Sequence, residues 1–288
     1  MGRVARWMLF TACICCQAVA GTPDAVPELT AEQIVEKNVA ARGGLEAWRD
    51  VETMVWIGHV ETATATGVRL PFVLEMKRPN KTRFTIYAPQ QLSMRLFDGK
   101  HGWKLRSTHS GQPDLQPYSA DEVAFALDGQ VIEGPLMDWR ATGSAVVLEG
   151  VGDIEGSKAY RLGVKLPSGA SYHVWLDARS FLDIRSERDS RNAFGRPGSA
   201  ARYYRNYRNV DGLKIPFLIE NNTETGKILD RMVIDRILLN PPLEDEIFAK
   251  PLGSGQQMLT SVGGDTQQGA GRPRGPKLGS MPGSGNAQ

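Results

Sequence analysis

"RLPFVLEMKR", residues 69 to 78, divides its side chains into two files. Leu70, Phe72, Leu74, Met76 and Arg78 share one parity, and Arg69, Pro71, Val73, Glu75 and Lys77 the other. Successive side chains of a strand point to opposite faces, so one face is dry and ends in an arginine while the other is mostly wet. The stretch "QLSMRLF" that follows a hairpin further on repeats the contrast, with Leu92, Met94 and Leu96 against Ser93 and Arg95. Phe84 and Ile86, on the strand between, add to the same kind of face.

Working outward, period-two segments fill most of the chain. Strands are expected at 53–61, 68–78, 82–88, 91–97 and 101–107, separated by Gly67, Pro79-Asn80, Pro89 and Asp98-Gly99. They resume at 145–153, 158–166, 171–177, 181–189, 201–209, 213–222 and 228–239. Loops this short join antiparallel neighbours, because parallel pairs need long crossovers. Helix is scarce. "LTAEQIVEKNVAARGG" opens with Thr30 and Gln33 spaced as a capping box, carries Ile34, Val35, Asn38 and Val39 at helical spacing, and stops at Gly43-Gly44. Between 117 and 143, Ser119 caps a short helix with Asp121 and Glu122 at its positive end. Gly129, Gly134 and Pro135 then break it into an irregular segment expected to lie across the sheet.

A long twisted antiparallel sheet must curl or close. The expected architecture is therefore mainly antiparallel β with few helices: a curved, incomplete, half-open barrel of about 11–12 strands with a helical lid. A dry sheet face is ordinary core wherever a helix covers it. Here the helices are few for so many strands, and a curled sheet with too little to fill it keeps an apolar cavity that can take a ligand. The candidate lining is Leu70, Phe72, Leu74, Met76, Phe84, Ile86, Leu92 and Met94, with Trp56 on the first strand and Arg78 at the mouth.

The ends differ in composition from the body. Residues 1–20 carry Arg3 and Arg6, an apolar run from Trp7 to Cys16 and then Ala18-Val19-Ala20, the order of a secretory signal; the run is too short to span a bilayer. Cleavage after Ala20 removes Cys13, Cys15 and Cys16 together, so the exported chain needs neither disulfides nor a thiolate metal site. Residues 21–29 read as a linker, 30–250 as one half-barrel domain, and 251–288, rich in Gly, Pro, Ser and Gln, as a disordered tail.

Charge excludes one class of partner. Of 34 basic and 32 acidic residues, the ends hold Arg3, Arg6, Arg272, Arg274, Lys277 and Asp265, leaving 29 basic against 31 acidic residues in the body. A net charge of −2 is not that of a nucleic-acid domain. The aromatic and basic stretch "ARYYRNYRNV", 201–210, is therefore expected to line the cavity mouth or to pair across strands rather than to stack on bases. "RSERDSRNAFGRPG", 185–198, alternates in sign and suits a solvated strand edge.

Catalytic signatures are missing. His59, His101, His109 and His173 have no zinc spacing, and there is no GxSxG, P-loop or GxGxxG. No cofactor, metal or enzymatic activity is expected.

"EMKRPNKTRFTIYAPQQLSMRLFDGKHGWKL" resembles the LolA/LolB-like periplasmic lipoprotein-carrier superfamily, the outer membrane lipoprotein-sorting proteins. It has their Lys-Arg-Pro-Asn turn at Lys77 to Asn80 and their Asp-Gly-Lys-x-x-Trp at Asp98 to Trp103. "YHVWLDARSFLDIRSE" and "YRNYRNVDGLKIPFLIE" resemble its secreted sorting-protein-like branch, and the likeness covers roughly 30–250. The resemblance implies a half-open barrel under a helical lid, with Arg78 at the position of the arginine that points into the cavity and bonds the lid. It also implies a periplasmic carrier of a lipid, a lipoprotein acyl chain or another apolar ligand, with membrane contact peripheral or transient at most. The competing expectation is a non-enzymatic interaction or envelope-stress sensor module with a self-filled groove and an envelope protein as partner. The shorter, broken lid segment and the long tail depart from the carriers.

Overall fold

Thr30 starts the first helix as its spacing predicts. In the computed structural model the Gln33 amide donates to Thr30 Oγ1 at 3.2 Å and the Thr30 amide to Gln33 Oε1 at 2.9 Å, closing a capping box on α1 (Ala31–Ala41). Ile34, Val35 and Asn38 face inward. Gly43 ends the run at φ 115°, and a Cβ there would lie 2.7 Å from the Gly212 carbonyl. Only glycine accepts both the angle and the contact. A five-residue helix, α2 (Leu45–Arg49), follows and buries Trp48, whose indole donates to the Arg42 carbonyl at 3.0 Å. The structure describes residues 27–63, 67–89, 91–107, 113–129, 132–191, 197–223 and 227–251. The expected signal at 1–20 and the tail from 252 lie outside the described residues.

Thirteen strands among these residues form one antiparallel sheet. They are β1 (Thr53–Thr62), β2 (Arg69–Lys77), β3 (Lys81–Ala88), β4 (Gln91–Phe97), β5 (Gly102–Ser107) and β6 (Pro113–Pro117), then β7 (Ala145–Ile154), β8 (Ser157–Lys165), β9 (Ser171–Asp177), β10 (Asp183–Arg191), β11 (Pro197–Val210), β12 (Leu213–Asn222) and β13 (Ile228–Leu239). The spatial order runs β6 to β1, then β13 down to β7. Two meanders thus form two wings that meet where β1 pairs with β13, from Met54 opposite Leu239 to Thr62 opposite Asp230. The free edges, β6 and β7, are not paired with each other, so the sheet curves without closing. The strand β6 exceeds the expected count of about 11–12; prolines at both of its ends hide it, since proline demotes a strand reading.

This order fixes where the lid must be. The chain leaves the sheet at one free edge and re-enters at the other, so residues 118–144 have to cross the open side. They do so as α3 (Ala120–Asp128), capped by Ser119 and Glu122, and then as turns that bury Ile132, Leu136 and Met137.

Register decides which side chains face that crossing. Trp56 is opposite Leu74, which is opposite Phe84; Gly58, Phe72 and Ile86 form the next row. On the other side of the seam Ile237 is opposite Trp56, and Ile219 opposite Met232. These rows pack with Trp48, Val51, Ile132 and Met137 as the larger core. A second core lies under α1, where Ile34, Val35 and Leu136 meet Tyr160, Leu162, Val164, Val174 and Leu176.

One expectation is corrected here. The β3–β4 hairpin pairs Ala88 with Gln91, and therefore Phe84 with Arg95 and Ile86 with Ser93. Leu92 and Met94 are opposite Tyr87 and Thr85 and so point to the other side of the sheet, where they pack with Leu96, Leu105, Tyr87, Trp103 and Leu115. A two-residue loop exchanges the parity of the faces, and likeness of side chains does not reveal it. The outer side of β2 and β3 is also covered. Lys77 donates to the Leu243 carbonyl at 2.7 Å, Lys77 and Lys81 both bind Asp245, and a 3₁₀ turn at Asp245–Phe248 packs against β3 with Phe248 wholly buried.

Candidate functional site

The concave floor is built from alternate residues of the central strands, and its burial is uneven. Met54, Phe72 and Met76 are sealed, whereas Trp56, Leu70, Leu74, Phe84 and Ile86 remain half-buried. The Phe72 and Phe84 rings meet at 5.6 Å. Of the ten residues expected to bind ligand, five are thus accessible floor and two, Phe72 and Met76, are packed core. Leu92 and Met94 lie on the opposite face.

Arg78, the tenth, works at one end of the concavity. Its guanidinium donates to the Val51 carbonyl at 2.7 Å, the Trp48 carbonyl at 2.9 Å and Glu133 Oε1 at 2.7 Å. Glu133 belongs to the crossing segment, so Arg78 ties that segment to the floor. Arg42 holds the Glu133 carbonyl at 2.7 Å, stacks 4.6 Å over the Trp48 ring, and faces Asp183 at 3.7 Å. Nearby, burial together with the Asp183 carboxylate pushes the Tyr207 phenol well above its ordinary range, so it stays a neutral donor to the Asp183 carbonyl at 3.1 Å. This end is a plugged, polar-pinned base.

The rest of the concavity is spanned by α3, none of whose residues is fully buried. Phe125 and Leu127 are more than half exposed. Charge holds the helix instead. Glu122 accepts from Arg95 at 2.8 Å and from Lys104 at 2.9 Å, on β4 and β5. Across the gap, Arg188 on β10 donates to Asp128 Oδ2 at 2.5 Å and stacks 4.3 Å over the Phe125 ring. Partial burial opposes ionisation of Glu122, but hydrogen bonds from Lys104, the Ser119 amide and Arg95 outweigh it and bring its carboxyl down to about 2. Arg95 also lies 5.0 Å over the Tyr118 ring, itself stacked on Phe97.

Sequence reasoning found α3 but missed its clasp. Glu122 is legible as a capping residue, yet its second role depends on Arg95 and Lys104 sharing the concave face, which the β4–β5 register alone supplies. The stretch 201–210 does pair across strands: Arg205 binds Glu155 and Glu220 and lies over Tyr203, and Arg208 lies over Phe217. The left-handed Asn206, φ 54°, interrupts its simple alternation. His59, His101 and His173 each face a carboxylate, and no group of three or more metal-ligating side chains occurs among the described residues. His109 lies outside the described residues.

No protein-family model matches the chain, and no curated protein does. Solved structures do. A domain from Vibrio parahaemolyticus assigned to outer membrane lipoprotein sorting superposes with a TM-score of 0.50 at 10% identity, over 78% of this chain and 96% of that one. A LolA superfamily protein from Nitrosomonas europaea is 18% identical over 77% of this chain and 99% of its own, with a TM-score of 0.48. A DUF1329 family protein from Desulfovibrio piger gives 9%, 76%, 97% and 0.49. The unclosed antiparallel sheet, crossed by a helix between its free edges, has the LolA-like half-barrel fold.

Proposed function

We propose that this protein is a non-enzymatic carrier that binds the acyl chain of a lipid or lipoprotein, or another apolar ligand, in its concavity. One observation carries the reading: Trp56, Leu70, Leu74, Phe84 and Ile86 form a contiguous apolar floor that stays only partly buried beneath a helix with no buried side chain. A self-packed sheet would seal those residues under apolar side chains of the lid. Enclosing twelve to sixteen methylenes contributes about 10 kcal/mol before association and ordering costs, enough for micromolar affinity. The fold shared with a lipoprotein-sorting domain supports the same reading, as does the signal-like composition of residues 1–20, which fits action in the periplasm.

Mass spectrometry of organic extracts of the purified protein, with uptake of an apolar fluorescent probe, tests it. Co-purified lipid or saturable, competable uptake is expected. A protein that holds no lipid and takes up no probe would instead have a self-filled groove, with recognition of an envelope protein as its role; the plug formed by Trp48, Ile132 and Met137 at the closed end is the feature that favours that second reading.

A further inference from the structure

Each wing of the half-barrel changes character as it leaves the apolar floor. On β4 and β5 the concave face carries Arg95, Lys104 and Arg106, since Phe84 is opposite Arg95, Arg95 opposite Lys104, and Ile86 opposite Ser93, which is opposite Arg106. On β10 and β11 it carries Arg188 and Arg202, reached through Tyr172 opposite Arg188 and Ser186 opposite Arg202. The concavity is thus a dry strip between two rows of cations on the face that α3 crosses. Three of these five are neutralised by one element: Glu122 takes Arg95 and Lys104, and Asp128 takes Arg188. Arg202 is exposed and donates to the neutral Asn221 amide oxygen at 3.2 Å, while the Asn221 amide nitrogen donates to Asp230 Oδ1 at 2.6 Å.

An apolar pocket for a neutral guest has no use for inward-pointing cations, which cost desolvation wherever they are covered. A carboxylate or phosphate on an aliphatic chain uses both parts, and arginine is the side chain suited to binding such groups through two parallel hydrogen bonds. We infer that the ligand is an anionic amphiphile, and that α3 closes the empty site by mimicry, its Glu122 and Asp128 occupying the cations that the ligand headgroup takes when the helix is displaced. This rests on the concavity being the apolar binding site. It adds the headgroup charge and the competitor.

The mimicry has a sign that can be measured. Removing the carboxylate of Glu122 takes away the competitor and leaves the cations, so an anionic guest binds better; removing Arg95 and Arg188 takes one arginine from each wing and weakens the hold on its headgroup. Dodecanoate and dodecanol, equal in chain length, are compared as displacers of N-phenyl-1-naphthylamine from the full chain at pH 7.5. Wild type is expected to bind dodecanoate at least tenfold more tightly than dodecanol. In an Arg95→Met/Arg188→Met variant, which keeps Lys104, Arg106 and Arg202, the ratio should fall severalfold, and Glu122→Gln should raise it severalfold. Because the double variant can lose fold, Glu122→Gln is the decisive arm, with circular dichroism as a check on both. Dodecanol bound as tightly as dodecanoate, or a ratio unmoved by Glu122→Gln, overturns the inference and leaves the apolar carrier standing. No displacement by either compound overturns both.

Discussion

Arg78 reaches Glu133 at 2.7 Å while its other two donors hold the carbonyls of Trp48 and Val51, so one side chain fastens the crossing segment, α2 and the start of β1 together. Both partners of the ion pair are mostly covered, and removing the guanidinium takes the donor from the Glu133 carboxylate and the Val51 carbonyl, while the Trp48 carbonyl keeps only the Val51 amide. Arg78→Leu is expected to cost about 2–4 kcal/mol in urea unfolding. If the tie also governs access, probe release from that variant is faster than from wild type. Unchanged stability and unchanged release would leave Arg78 without the role assigned to it.

The ionisation of Glu122 sets an acid limit for the lid. Its carboxyl titrates at about 2 when clasped, below the 4.5 of an ordinary glutamate, so the stabilisation is fully present above about 4.5 and is lost as pH falls toward 2. Asp245, clasped by Lys77 and Lys81 on the outer face, titrates in the same window, so global unfolding cannot separate them. Hydrogen exchange localised to α3 can. Its amides are expected to stay protected at pH 5 and to lose protection between about pH 4 and 2, and Glu122→Gln should show the weakened protection already at pH 7.

The two apolar faces of the sheet respond differently to truncation. Leu74→Ala enlarges an open floor and should lower probe uptake with a modest loss of stability. Leu92→Ala empties a buried site on the other face and should cost about 2–3 kcal/mol while leaving uptake as it was. Thermal unfolding and probe titration on the two variants check the assignment of faces, which is wrong if Leu92→Ala is the one that loses uptake.

Phe248→Ala gives a parallel test of the outer strap. The ring is wholly buried beside β3, on the side away from the concavity. A loss of about 3–4 kcal/mol without a change in probe affinity is expected. A large change in affinity would mean that the strap and the floor are coupled through the sheet.

Much of this fold is legible residue by residue. The alternation through Leu70 to Met76 marks the floor, Thr30 and Gln33 mark α1, and the breakers at Gly129, Gly134 and Pro135 mark a lid that does not continue as helix. What sequence hides is relational. The flip that carries Leu92 and Met94 to the outer side is a property of pairing Ala88 with Gln91, and alternation within one strand contains no information about its neighbour's phase. The clasp of α3 depends on residues from β4, β5 and β10, far apart in the chain, that meet only once both wings curl. Asn206 is invisible for a different reason: a left-handed residue in mid-strand has no signature beyond asparagine's tolerance of it.

The pairing of β1 with β13 joins the first and last strands of the sheet in chain order, Met54 with Leu239. Every other neighbouring pair of strands is also consecutive in the chain, so each meander can zip locally and quickly. The middle of the finished sheet is therefore the step of highest loop-closure entropy, and the barrier to folding is expected to lie in docking two half-formed wings rather than in forming either. The concavity and its floor come into being only with that final encounter, because the rows that line it run straight across the junction.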